Sequence, residues 1–167
     1  SKVFIGVGHG GSDSGAVSNG FKEKDLNLKI ALACGDYLKQ YGVEVKLSRT
    51  KDENDTLQEE IRECNQFSPD LAVDIHNNAG GGDGAEVFHH HAGGKGKTLA
   101  KNILAEIIKT GQNLASSDHT ISISKNVTIN AIIPIAMRMM PLMRPMFPPC
   151  QTLLQMPILI GEQIIII

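Results

Sequence analysis

The stretch Asp70-Leu-Ala-Val-Asp-Ile-His-Asn-Asn-Ala79 decides the fold, because an almost continuously apolar run delivers His76 into the turn Gly80-Gly-Gly-Asp-Gly84. A run of that kind predicts a strand, Leu71 to Ile75, covered on both faces. A histidine placed where such a strand gives way to glycine is exposed while its backbone is fixed from behind. The same grammar opens the chain, where Val3-Phe-Ile-Gly-Val7 runs into Gly8-His9-Gly10-Gly11. Two such strands lying side by side and parallel would bring His9 and His76 to one sheet edge, a place for metal ligands. A phosphate cradle is the other reading of the glycine-rich loop, but the Gly-Lys-Ser/Thr of a P-loop is missing.

Working outward, Glu23 opens a predicted helix to about Tyr41, with Leu26, Ile30, Cys34, Tyr37 and Tyr41 recurring at helical intervals and Gly42 just past its end. Glu23 either complements the helix dipole or reaches the metal, since this helix starts near the edge that carries His9. A strand from Val43 to Leu47 leads to Arg49, which either braces the following loop or contacts a ligand, and to Asp52, read as a loop or capping carboxylate rather than a catalytic one. Thr56 and Glu59 have the spacing of a capping box, ahead of a helix whose inward face is Leu57, Ile61 and Cys64. Asp74 is expected on the strand face opposite His76, in a supporting role. Gly84 to His90 predicts a strand neighbouring the central one. His89, His90 and His91 point alternately and are read as solvated or substrate-facing rather than as a ligand set. Lys95 to Thr110 is an amphipathic helix with Leu99, Ile103, Leu104, Ile107 and Ile108 inward. The alternation predicts an α/β fold: a twisted, mostly parallel central sheet with helices on both faces, as one domain over residues 1–167.

Composition narrows the classes. A chain of 167 residues with 41% hydrophobic residues is long enough to bury a core, and a net charge of -2 gives no basic field for nucleic acid. The first two thirds hold no apolar run of the roughly 18 residues that a membrane span needs. No signal-peptide pattern is read at Ser1. The three cysteines cannot all pair within the chain, and Cys34 and Cys64 are expected to be buried thiols.

The segments Gly8-His-Gly-Gly-Ser-Asp-Ser-Gly-Ala16, Glu23-Lys-Asp-Leu-Asn-Leu28, Ser48-Arg-Thr-Lys-Asp52, Asp74-Ile-His-Asn-Asn-Ala79 and Gly84-Ala-Glu-Val-Phe88, in this order, resemble the zinc-dependent N-acetylmuramoyl-L-alanine amidases of the Amidase_3 type over residues 2–110. The resemblance implies one Zn2+ per chain held by His9, Glu23 and His76, peptidoglycan as substrate, and a catalytic glutamate late in the domain. Met156-Pro157-Ile-Leu-Ile-Gly-Glu162 resembles the family's strand that supplies it, with one extra residue, which makes Glu162 the expected proton shuttle. Asn78 and Arg49 are the expected substrate contacts. A wall-associated or secreted monomer is expected, or a phage lysin made in a host cytoplasm.

The chemistry agrees with that ligand set. Two imidazoles and one carboxylate leave zinc an open position for water, as catalytic sites do. A carboxylate that is not a ligand must then carry the water's proton to the leaving amine. The same ligands would equally serve a peptidase-like hydrolase of another amide, or a metal-bearing wall-binding module without turnover. Residues 112–167 depart from the family pattern: Gln112 to His119 lacks its Arg-Gly, and Ala131 to Cys150 is rich in methionine and proline.

Overall fold

A computed structural model describes residues 1–77, 84–90, 92–109, 120–123 and 163–166. Its elements are β1 (Lys2–Val7), β2 (Val17–Ser18), β3 (Phe21–Lys22), α1 (Glu23–Gln40), β4 (Glu44–Leu47), α2 (Leu57–Phe67), β5 (Leu71–Asn77), β6 (Gly84–His90), α3 (Lys95–Ile108), β7 (Thr120–Ile123) and β8 (Gln163–Ile166). The six-stranded sheet has the order β4-β1-β5-β8-β6-β7, and β2 with β3 forms a separate hairpin. Among the described strands β1 runs parallel to β4 and β5, β6 runs parallel to β7 and β8, and β5 meets β8 antiparallel. The mostly parallel α/β sheet expected from the sequence is therefore present. The strand Gly84–His90 is not the direct neighbour of β5, however: β8 lies between them.

Strand alternation assigns a helix to each face. On one face α1 approaches so closely that a Cβ on Gly35 would sit 2.9 Å from Leu47 Cδ1, with Val45 and Ile5 next to it. The line of closest approach is thus built from Asn27, Ala31, Gly35 and Leu38, all buried, while the bulkier Ile30, Cys34 and Tyr37 flank it as partly buried residues. Sequence periodicity picks out the flank because it weighs apolar bulk, whereas close approach selects small side chains. On the other face, Phe4, Ala72 and Asp74 turn toward α2 and line a cavity with Leu57, Ile61 and Cys64. The capping box of α2 forms as predicted, Thr56 N–H donating to Glu59 Oε2 at 3.0 Å and Glu59 N–H to Thr56 Oγ1 at 3.3 Å. Its expected inward face is not buried: Leu57 is 57% exposed and Ile61 37%. Cys34 and Cys64 are free and half-buried rather than fully enclosed. In α3, Leu99, Ile103 and Leu104 are buried as predicted, together with Ala100.

Candidate metal centre

The site is created by sheet register. Parallel pairing sets Val7 beside Ile75, and the N–H of Gly8 continues the ladder to the Ile75 carbonyl at 3.1 Å. His9 and His76 therefore emerge at the same edge, their ring centroids 5.0 Å apart and nearly perpendicular. His9 takes a left-handed backbone, φ +64°, uncommon for a residue with a side chain and typical of places where function sets the geometry. The first turn of α1 brings in Glu23, only 3% exposed. Donor atoms of His9, Glu23 and His76 all lie within 4.8 Å of one another.

Each of the three is held from a second direction. Glu23 Oε2 accepts the Ala16 N–H at 2.9 Å and lies 3.2 Å from His9 Nε2. Glu23 Oε1 accepts the Asn77 N–H at 3.0 Å and lies 3.0 Å from His76 Nδ1. The outer nitrogens face separate aspartates, His9 Nδ1 at 2.8 Å from Asp13 Oδ2 and His76 Nε2 at 3.0 Å from Asp74 Oδ2. Asp74 thus shares the face of His76 instead of opposing it, since residues two apart on a strand point the same way. The loop must be glycine where these three side chains press on it. A Cβ on Gly8 would lie 2.3 Å from the His76 ring, and one on Gly15 would lie 2.6 Å from both Glu23 Oε2 and His9 Cδ2.

Electrostatics follow from these contacts. Burial works to raise the Glu23 pKa, but hydrogen bonds from His76 and from the Ala16 and Asn77 amides, with the charge of His9, bring it down to about 2. Burial alone would lower the His76 pKa; the hydrogen bonds and charges of Asp74 and Glu23 overcome it and push it up to about 10. The Asp13 carboxyl is lowered by its bonds to His9 and the Gly15 amide. A strongly anionic carboxylate between two imidazoles fits a divalent metal by donor chemistry and spacing.

Other expected residues distribute as follows. Arg49 is buried, 2% exposed, and donates to the carbonyls of Val7 at 3.1 Å, Lys24 at 2.8 Å and Lys51 at 3.1 Å. It is the brace of the alternative reading; spent on backbone and enclosed, its guanidinium has no free face for substrate. Asp52 is indeed a loop carboxylate, accepting from Gly11 N–H at 2.8 Å and Lys24 Nζ at 2.7 Å. The Ser48–Asp52 motif therefore clamps the His9 loop. His89 is buried, with Nδ1 2.8 Å from the His90 carbonyl, not solvated. Asn78, His91 and Glu162 lie outside the described residues. Sequence reasoning missed Asp13, Asn27 and Asn77. Asn27 stands one helical turn beyond Glu23 and joins Gly8 O at 2.9 Å, while Asn77 Nδ2 donates to Asn27 Oδ1 at 2.7 Å. The i,i+4 spacing from Glu23 was the available signal.

An α/β sheet with a His–Glu–His set at its strand ends defines a candidate metalloenzyme. The sequence matches the Amidase_3 family, N-acetylmuramoyl-L-alanine amidases, over residues 3–138, and the chain belongs to that family. It is 41% identical over 109 residues to the N-acetylmuramoyl-L-alanine amidase CwlM of Bacillus licheniformis, covering 64% of this chain and 43% of the relative. It is 35% identical over 141 residues to the endolysin of Bacillus phage SPP1, covering 78% of this chain and 52% of the relative. The chain thus spans about half the length of these relatives. Among solved structures, the catalytic domain of CwlV, an N-acetylmuramoyl-L-alanine amidase from Bacillus (Paenibacillus) polymyxa var. colistinus, superposes with a TM-score of 0.64 at 27% identity, covering 80% of this chain and 75% of that one.

Proposed function

We propose that this chain is the catalytic domain of a zinc-dependent amidase that cleaves the amide between the lactyl group of N-acetylmuramic acid and L-alanine in peptidoglycan. The observation that carries the reading is the convergence of His9, Glu23 and His76 at one sheet edge in a chain of this family. Zinc held by these residues would lower the pKa of its water to about 7 and polarise the scissile carbonyl.

The protein's own groups do the rest. Glu23 stays ionised, and its two oxygens are fixed by the Ala16 and Asn77 amides, so the ligand set is organised in advance. Glu162 is the proton carrier of this reading: its carboxylate takes a proton from the attacking water and returns it to the departing L-alanine amine as the C–N bond breaks. Asn78, two residues beyond His76, is its substrate contact. The domain is taken to act as a monomer on the bacterial wall, one Zn2+ per chain.

Purified peptidoglycan, incubated with the chain before and after chelation and zinc add-back, tests the reading. New L-alanine amino termini without new reducing ends are expected, abolished by chelator and restored by zinc. Glu162→Ala is expected to lower the rate at least ~100-fold with zinc still bound. Zinc binding without any release of L-alanine termini would reduce the protein to a wall-binding module.

A further inference from the structure

The two histidines are held alike at their outer nitrogens, but by aspartates in different settings. Asp13, partner of His9, is on the exposed loop, its side chain 67% exposed. The side chain of Asp74, partner of His76, is only 11% exposed and lines the cavity beneath α2. One of its oxygens is committed to His76 Nε2 at 3.0 Å. The other, Oδ1, is buried and has no hydrogen-bond partner among the described residues. An open buried acceptor costs about 1–3 kcal/mol, so its surroundings call for an explanation.

Those surroundings hold a second acid. Asp74 Oδ1 and Glu60 Oε1 both press on the point above Gly6 where a Cβ would stand. Two carboxyls that face one point above the sheet repel each other when both are ionised, which favours a proton on one of them. Burial, then the charges of Asp74 and Asp55, push the Glu60 pKa up, which favours the hydroxyl on Glu60 rather than on Asp74. Its neighbours in the cavity, Phe4, Leu57, Ile61 and Cys64, offer it no competing charge.

We propose that Asp74 is a positioning residue for His76, accepting the Nε2 proton so that Nδ1 is the nitrogen turned to the metal, and that Glu60 holds Asp74 in that pose from α2. Fixing a ligand's ring and tautomer through a carboxylate on its far nitrogen is how supporting residues raise metal affinity. The inference rests on the reading of His76 as a metal ligand. It adds a role for α2, which otherwise buries little.

The test is zinc titration of the full chain, with long-range proton–nitrogen spectra of the His76 ring in the zinc-loaded protein. The unsubstituted chain is expected to show Nε2 protonated and Nδ1 metal-bound. Asp74→Ala is expected to weaken zinc binding ~10- to 100-fold and to mix the two ring arrangements. Glu60→Gln keeps a donor and is expected to preserve affinity and spectrum, while Glu60→Leu weakens both. Should Asp74→Ala fail to fold, the isosteric Asp74→Asn is read the same way, with a smaller loss. Unchanged affinity and spectrum in the Asp74 variant that folds, or His76 bound through Nε2 in the unsubstituted chain, would overturn the inference. Failure of the unsubstituted chain to bind zinc would instead remove the metal reading itself, and is seen before any substitution is made.

Discussion

The two helices that flank β1 bury their contacts very differently. α1 lays Asn27, Ala31, Gly35 and Leu38 directly onto the sheet, whereas α2 has no fully buried residue and stands over a cavity floored by Phe4 and Ala72. The tight side carries Glu23 in its first turn, the proposed metal ligand with both oxygens fixed by backbone amides. The loose side carries Glu60, an acid that a tightly packed apolar face would have no room to solvate or pair. Packing density and site chemistry are thus divided between the faces: one fixes Glu23 by steric closeness, the other sets carboxyl groups behind His76.

Filling the tight face is the hardest blow to this arrangement. Gly35→Leu places a side chain where a Cβ alone meets Leu47 Cδ1 at 2.9 Å. Leucine gains up to about 1 kcal/mol over glycine in helix propensity, but overpacking a closed interface costs about 3 kcal/mol. A net loss of about 2 kcal/mol is expected in denaturant unfolding, with an unchanged slope. A neutral outcome would mean that α1 can lift from the sheet.

Much of this division was legible in the sequence, and what was not has specific causes. The apolar runs before His9 and His76 announced parallel neighbours, and with them the edge at which the two histidines meet. The capping box at Thr56 was equally plain, being purely local. Asp74 was misplaced although the strand period alone puts it beside His76. The small-residue line of α1 was hidden because periodicity reports bulk rather than proximity. Arg49 had two open roles, and only the three-dimensional loop showed backbone carbonyls converging on it. The position of β8 between β5 and β6 depends on a pairing remote in sequence, which no local pattern encodes.

Acid and alkali separate the faces in the metal-free protein. Glu23, on the α1 side, has a folded pKa of about 2 against an ordinary 4.5, so its contribution to stability is full above 4.5 and lost as pH falls through 2. His76, tied to Asp74 on the α2 side, has a folded pKa of about 10 against 6.5, so its contribution is full below 6.5 and lost as pH rises through 10. Glu60, whose folded pKa is raised above an ordinary 4.5, loses its contribution as pH rises beyond 4.5, so urea midpoints of the metal-free chain are expected to peak near pH 4.5 and to decline on both sides. With zinc bound, the His76 proton is displaced and the alkaline decline is expected to shrink. A decline on the acid side alone would show that His76 is not held charged and Glu60 is not held neutral on the α2 side.

The smallest effect belongs to the loose face, and its size is informative because it is small. Leu57 is 57% exposed and lines the α2 cavity beside Phe4. Truncating a side chain so placed removes little area from contact, and Leu57→Ala is expected to change stability by no more than about 0.5 kcal/mol. Alanine is also the better helix former by a few tenths of a kcal/mol, which offsets part of the lost contact. A buried leucine would instead cost about 2–5 kcal/mol on the same substitution. The two figures do not overlap, so a single pair of unfolding curves decides whether this face is as open in solution as its geometry indicates. A loss in the higher range would mean that something covers α2, and the contrast between the faces would then be one of partners rather than of packing.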